Sequence, residues 1–197
     1  FVVPKLRPDR DGQLHPNDLS TAGDFQKLGQ RGYSTVHLSY GENNDCLGWL
    51  VGAENQGLPY MFQMMNGARI DVGLTACSTA TAAYHAALKY ANERPQSRKL
   101  SRDGQKDINQ EQTLIINHPD VRRMLFFQKA VNEASLSLLI YCAKLEDIIK
   151  NESKEDADNE HMLLELLTPV AKTYPSEMGR LAVSNGLQVL GGYGYCM

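Results

Sequence analysis

Polar and apolar positions change rhythm once along the chain. Up to about residue 58, short runs of β-like character are separated by turn residues. Phe1 to Pro4 reads as a strand, Tyr33 to Tyr40 as a second, alternating and rich in Thr, Val and Tyr, and Cys46 to Gly52 as a third. Arg7 to Gly23 is polar, with Pro, Asp and Gly, and reads as a loop; Gly41 to Asp45 reads as a turn. After Gly57-Leu58-Pro59, apolar or small residues recur at three- and four-residue steps: Met61, Met64, Met65, Ala68, Val72, Ala76, Ala83, Ala87 and Tyr90. This spacing predicts one long helix over 59–93, with Pro59 at its first position. Its small residues, among them Gly73, Ala76, Ala80 and Ala83, would let a second backbone or a flat ligand approach closely.

Residues 95–117 are mixed and polar and read as a loop. A second helix is predicted from Pro119, with Val121, Leu125, Phe127, Val131, Ala134, Leu138, Tyr141, Leu145 and Ile148 on its apolar side. Lys150 to Glu160 is dense in charge and reads as a solvated helix end or loop. A third helical stretch runs from His161 to about Leu187, where Pro169 and Pro175 predict kinks or a break. Gly191-Gly192-Tyr193-Gly194-Tyr195 cannot continue it. Strands followed by long amphipathic helices give an α+β class: a β-rich part over 1–58, then an incomplete antiparallel helical bundle over 59–197.

Composition narrows the function. The chain has 197 residues, 42% hydrophobic and 22% charged, with a net charge of −3. No basic block is present, which argues against nucleic acid as a partner. No apolar run reaches the roughly 20 residues that span a bilayer, so membrane insertion is not expected. Cys46, Cys77, Cys142 and Cys196 are scattered, with no metal spacing, and read as reduced thiols of a cytoplasmic protein. His37, His85, His118 and His161 stand alone and read as structural or surface residues.

Four stretches in order carry a resemblance. The first is Lys27-Leu28-Gly29 followed by Ser34-Thr35. The second runs from Leu50-Val51-Gly52 through Glu54-Asn55, Gly57-Leu58 and Met61-Phe62 to Asn66-Gly67-Ala68-Arg69-Ile70. The third is Ala83-Tyr84, Ala87-Leu88, Tyr90-Ala91 and Glu93-Arg94-Pro95-Gln96. The fourth is Gln188-Val189-Leu190-Gly191-Gly192-Tyr193-Gly194-Tyr195. Together they resemble the acyl-CoA dehydrogenase family, from the end of its middle β-domain through most of its C-terminal four-helix bundle. His118-Pro119-Asp120-Val121-Arg122-Arg123 and Leu167-Thr168-Pro169-Val170 are most similar to the 3-methylmercaptopropionyl-CoA dehydrogenase-like subgroup.

The resemblance implies FAD as cofactor, an acyl-CoA thioester as substrate, electron-transfer flavoprotein as electron acceptor, and a homodimer or dimer of dimers. It implies proton abstraction from Cα by a Glu and hydride transfer from Cβ to flavin N5. Arg94 matches the Arg that reaches the cofactor of a neighbouring subunit, where a guanidinium suits a pyrophosphate; Gln96 is a second contact. Read alone, Arg94 is a helix-end cation favoured by the macrodipole. Gln188, Gly191 and Gly192 match the turn that cradles the adenosine side; read alone, they are a helix C-cap. The implied pocket joins Arg94 of one long helix to the Gly191-Gly192 turn of the adjoining subunit. Asn66 and Arg69 match a pair that contacts the pantetheine. Met61, Phe62, Met64 and Met65 read first as packing core and second as an acyl tunnel.

Two departures matter. Ser97-Arg98 stands where many members have Phe-Gly. Ala68 stands beside Arg69 where some members place the base, and no catalytic residue is assigned in this chain; the usual Glu is expected beyond Met197. The chain alone is therefore expected to bind FAD poorly, to lack dehydrogenase activity, and to bury its uncovered apolar stripe by association. Two alternatives remain open: a non-catalytic, DNA-associated alkylation-response protein on the same scaffold, and a plain helical interaction module.

Overall fold

The structure, a computed structural model, describes residues 1–152 and 157–196, and the backbone alone at residue 63. It divides into two units, Phe1–Tyr60 and Met61–Met197.

In the first unit, β1 (Leu6–Pro8) pairs antiparallel with β2 (Leu14–Pro16), and β3 (Leu19–Asp24) pairs antiparallel with β4 (Val36–Tyr40) across a bulge between Thr21 and Gly23. The stretch expected as a loop, Arg7 to Gly23, therefore holds most of three strands. Its turn is built by Asp9, whose Oδ1 accepts the amides of Asp11 and Gln13, each at 2.9 Å. Such polar strands leave no alternating apolar signal to read. The strands expected at Phe1–Pro4 and Cys46–Gly52 reduce to a bridge between Val2 and Trp49. Fully buried Asn17 ties the segments together: its Nδ2 donates to the carbonyls of Pro4 and Leu47, and its Oδ1 accepts the Leu47 amide, at 2.8, 2.8 and 2.9 Å. Asp18, in left-handed backbone at φ +45°, turns its carboxylate onto the Asn43 and Asp45 amides at 2.8 and 3.1 Å.

Three long helices follow: α1 (Gly57–Glu93), α2 (Pro119–Asn151) and α3 (Asp158–Val189). They run up, down and up, as three core clusters stacked along them show. Ala87 and Ala91 meet Met124, Leu125 and Val189; Ala80 meets Val131 and Ala182; Cys77 meets Leu139, Cys142 and Ala171. Against α3, α1 presents Gly73, Ala76, Ala80 and Ala83, so the two backbones approach closely. The small-residue stripe thus serves a helix contact.

Two expectations for the helices need correction. Of the kinks or break expected at Pro169 and Pro175, the break does not occur: α3 passes through both. Each proline costs one backbone hydrogen bond, but the surrounding apolar contacts of Ala171, Gly179 and Ala182 hold the helix in place. On α2 the buried face is Met124, Leu125, Gln128, Val131, Asn132, Ser135, Leu139, Cys142 and Leu145. Ala134 and Tyr141, expected on the apolar side, are exposed, because three polar residues occupy core positions. The charged stretch 150–160 lies in part outside the described residues.

Candidate functional site

The C-terminal end of α1 does not fray into a loop. Residues 94–115 return as a hairpin: the Gln96 amide donates to the Thr113 carbonyl at 2.9 Å, Thr113 to Ser97 at 3.0 Å, and Ile115 to Arg94 at 2.9 Å. At its tip Leu100 bridges Lys106 and the Ser101 amide donates to the Gln105 carbonyl at 2.9 Å. Ser97 holds φ +59°, a left-handed conformation that a non-glycine residue adopts at a cost. Arg98 is half-buried, and its Nε donates to the Gln110 carbonyl.

This hairpin faces the end of α3. Gly191, at φ +59° with open space where a Cβ would lie, ends that helix and starts a 3-10 turn over Gly191–Tyr195. Between them lies a cavity of about 450 Å³ whose lining includes Gln96, Ser97, Arg98, Lys106, His118, Gln188 and Gly191. Its floor is apolar, from Ile115, Val121, Met124 and Val189. Among the described residues, the formal charges in the lining are those of two cations, Arg98 and Lys106. His118 Nε2 lies 2.8 Å from the Gln96 carbonyl, which fixes it as the donor nitrogen. Gln188 Oε1 accepts the Tyr195 hydroxyl at 3.0 Å, and its amide NH₂ has no acceptor among the described residues. Such a lining favours an anion with polar groups on a flat apolar body.

Of the residues singled out from the sequence, Gln96, Gln188 and Gly191 therefore border one cavity, and they do so within one chain, where the resemblance had divided them between adjoining subunits. Arg94 is exposed just outside this lining, and Gly192 follows Gly191 as an exposed residue. Arg98, Lys106 and His118 were missed as a group. They are far apart in sequence, and the hairpin that gathers them has no hydrophobic period.

Asn66 and Arg69 come together elsewhere. Both are half-buried, and Arg69 Nη1 lies 3.5 Å from Asn66 Oδ1, with the guanidinium 5.8 Å from the Phe62 ring centroid. At about 1.5 Å per residue, they lie about 40 Å along α1 from its end. Met61, Phe62 and Met64 are exposed by 37%, 45% and 73%, so they do not form the packing core expected of them. Tyr193 is exposed and meets Tyr90 edge-on at 6.4 Å. A second surface runs along the α1–α2 groove, where Leu74, Leu136, Ile140 and Phe126 are exposed. Among the described residues, no helix is long and apolar enough to cross a membrane.

Comparison with known proteins adds the missing context. No family model matches the chain. It is 38% identical to a butyryl-CoA dehydrogenase of Syntrophomonas wolfei, over 99% of the chain and 32% of that protein. It is 37% identical to the 3-methylmercaptopropionyl-CoA dehydrogenase of Ruegeria pomeroyi, over the same shares. The chain thus spans about a third of the curated relatives it matches. Among solved structures, Caenorhabditis elegans ACDH-11, determined in complex with C11-CoA, superposes with a TM-score of 0.72 at 20% identity, over 95% of this chain and 32% of that one. Butyryl-CoA dehydrogenase of Megasphaera elsdenii gives 0.70 at 19%, over 92% and 42%.

Proposed function

The chain is homologous over nearly its whole length to acyl-CoA dehydrogenases, and from that premise we propose that it forms part of an FAD-dependent enzyme that α,β-desaturates an acyl-CoA thioester. The observation that carries the reading is the meeting of Gln96, Gln188 and Gly191 around one cavity where, among the described residues, the formal charges are positive. The lining fits the adenosine and diphosphate side of the cofactor: side-chain amides, a turn without a Cβ, and the cations Arg98 and Lys106 with no carboxylate among the described lining residues. When bound, the flavin accepts the hydride that leaves the substrate Cβ. Arg94 and Gly192, close in sequence to the lining, are its outer contacts in this reading.

Asn66 and Arg69 serve the substrate. The Arg69 guanidinium, steadied by Asn66, donates to the polar chain of the thioester and orients it. Their distance from the cavity, about 40 Å along one helix, supports assigning the two ends of α1 to different active sites, each completed by a second copy in a homodimer or dimer of dimers. The exposed apolar face of α1 and α2 supports association as well. Ala68 cannot take a proton, so the Cα base is the Glu that the family carries after its Gly-Gly-x-Gly turn. Electrons pass on to electron-transfer flavoprotein. The four unpaired thiols support a reducing, cytoplasmic setting.

The test separates the two ends. NMR titration of the chain with FAD and, separately, with butyryl-CoA is expected to show weak saturable binding of each. Gln188→Ala should weaken FAD alone, and N66A/R69Q should weaken butyryl-CoA alone. No flavin bleaching is expected when both ligands are present. The reading fails if neither ligand saturates, or if N66A/R69Q weakens FAD as much as Gln188→Ala does.

A further inference from the structure

The cavity at the end of α1 raises the question of which cations meet the cofactor's diphosphate. Arg94 is the cation that matches the family pattern, yet it lies outside the lining, while Arg98 and Lys106 lie within it. Resting on the cofactor reading above, we propose that Arg98 and Lys106, carried on the 94–115 hairpin, hold the diphosphate of the cofactor's ADP half in this cavity.

The hairpin register puts the two charges on one side. Leu100 and Lys106 are cross-strand partners, and Arg98 precedes Leu100 by two residues, so all three share a face. All three line the cavity. The Arg98 guanidinium is already oriented, because its Nε is committed to the Gln110 carbonyl while its two Nη groups remain to form a fork. Among the described residues no salt bridge engages either cation. Across the cavity, the bare Gly191 turn lets a ligand come against the backbone, and the Gln188 amide supplies a neutral donor. The apolar floor of Ile115, Val121 and Met124 suits an adenine ring. The 450 Å³ volume accommodates a mononucleotide-sized group.

A diphosphate also occurs in coenzyme A, so the test must distinguish the two sources. The full chain would be titrated with ADP, inorganic pyrophosphate and adenosine by NMR and calorimetry. FAD and CoA would then be offered as competitors against ADP. ADP and pyrophosphate are expected to bind, adenosine at least tenfold more weakly, with FAD displacing ADP at lower concentration than CoA does. R98Q/K106Q should weaken ADP and pyrophosphate at least tenfold, leave adenosine unchanged, and flatten the salt dependence of ADP binding. Lys106→Gln alone, at an exposed hairpin position, guards against a folding defect and should show a smaller loss of the same kind. The proposal is overturned if ADP binds no tighter than adenosine, if R98Q/K106Q leaves ADP unchanged, or if CoA displaces ADP at equal or lower concentration than FAD does. If Arg94→Gln abolishes ADP binding while R98Q/K106Q spares it, this assignment falls and the cofactor site itself stands.

Discussion

Gly73 on α1 lies against the carbonyl oxygen of Ala171 on α3, so closely that a methyl group added at Gly73 would overlap that oxygen and come within 2.9 Å of Leu139 Cδ2. The carbonyl is available because Pro175, four residues on, has no N–H to offer it. A proline that looks like a helix fault thus stands beside a close backbone approach between α1 and α3.

Gly73→Ala should therefore destabilise the bundle by about 2–3 kcal/mol, the usual scale for overpacking against groups that cannot yield. Gly179→Ala is the contrast: its added Cβ would sit 3.5 Å from the Ala76 oxygen and 3.6 Å from Ala80 Cβ, ordinary contacts. It should be neutral or stabilising by up to about 1 kcal/mol, from helix propensity. Gly186→Ala, 3.1 Å from Gln128 Oε1, should fall between. Urea unfolding of the three variants, followed by circular dichroism at 222 nm, checks the ranking; equal effects would refute the close approach.

Asn132 is 7% exposed, and among the described residues neither its Nδ2 nor its Oδ1 has a partner; Ser135 Oγ and Gln128 Oε1 share this condition. A buried unpaired polar group costs roughly 1–3 kcal/mol. Asn132→Leu, close in volume, should raise stability by about 1 kcal/mol or more. Asn132→Asp should lower it, since burial disfavours the charged form. A loss on Asn132→Leu, measured by denaturant midpoint at unchanged slope, would show that the amide is engaged.

These polar core positions mark the limit of what the sequence disclosed. The long helices were legible because apolar residues recur at three- and four-residue steps over many turns, and Pro119 marked the start of α2 to the residue. The buried face of α2 was misjudged because Gln128, Asn132 and Ser135 sit where the period calls for apolar side chains. The prolines of α3 do not break the helix because local propensity weighs less than packing along 32 residues. At the candidate site, Gln188 and Gly191 were visible as a motif. Arg98, Lys106 and His118 were not, since only the hairpin pairing brings them to one cavity.

The first unit should lose stability in acid. Hydrogen bonds to its ionised form, the Asp45 amide first and then those from Asn43, together with the Arg7 charge, hold the Asp18 carboxyl below its ordinary value against an opposing desolvation. A folded pKa below the unfolded one means that the contribution is complete above the unfolded value, near pH 4, and is lost as pH falls through the lower folded value. Asp18→Asn should reduce stability at pH 7 and flatten the acid slope. Trp49 is the chain's one tryptophan and lies in this unit, so its fluorescence during melts between pH 7 and pH 2.5 reports the effect. Identical pH profiles for both proteins would contradict it.

Thiol reactivity should divide along burial. Cys142 is fully buried between the helices, and that burial, with the Glu146 charge nearby, raises its thiol pKa. Cys77 is 3% exposed, and its Sγ lies 3.6 Å from the Asn132 carbonyl. Cys196 is exposed beyond the 3-10 turn. Because the thiolate is the reacting species, iodoacetamide at pH 8 should modify Cys196 first, while Cys142 should react only at the rate of global opening. Adding urea below the unfolding midpoint should accelerate Cys142 and leave Cys196 unaffected. Peptide mass spectrometry over a time course resolves the sites. If Cys142 reacts as fast as Cys196 in buffer, the helices do not enclose it.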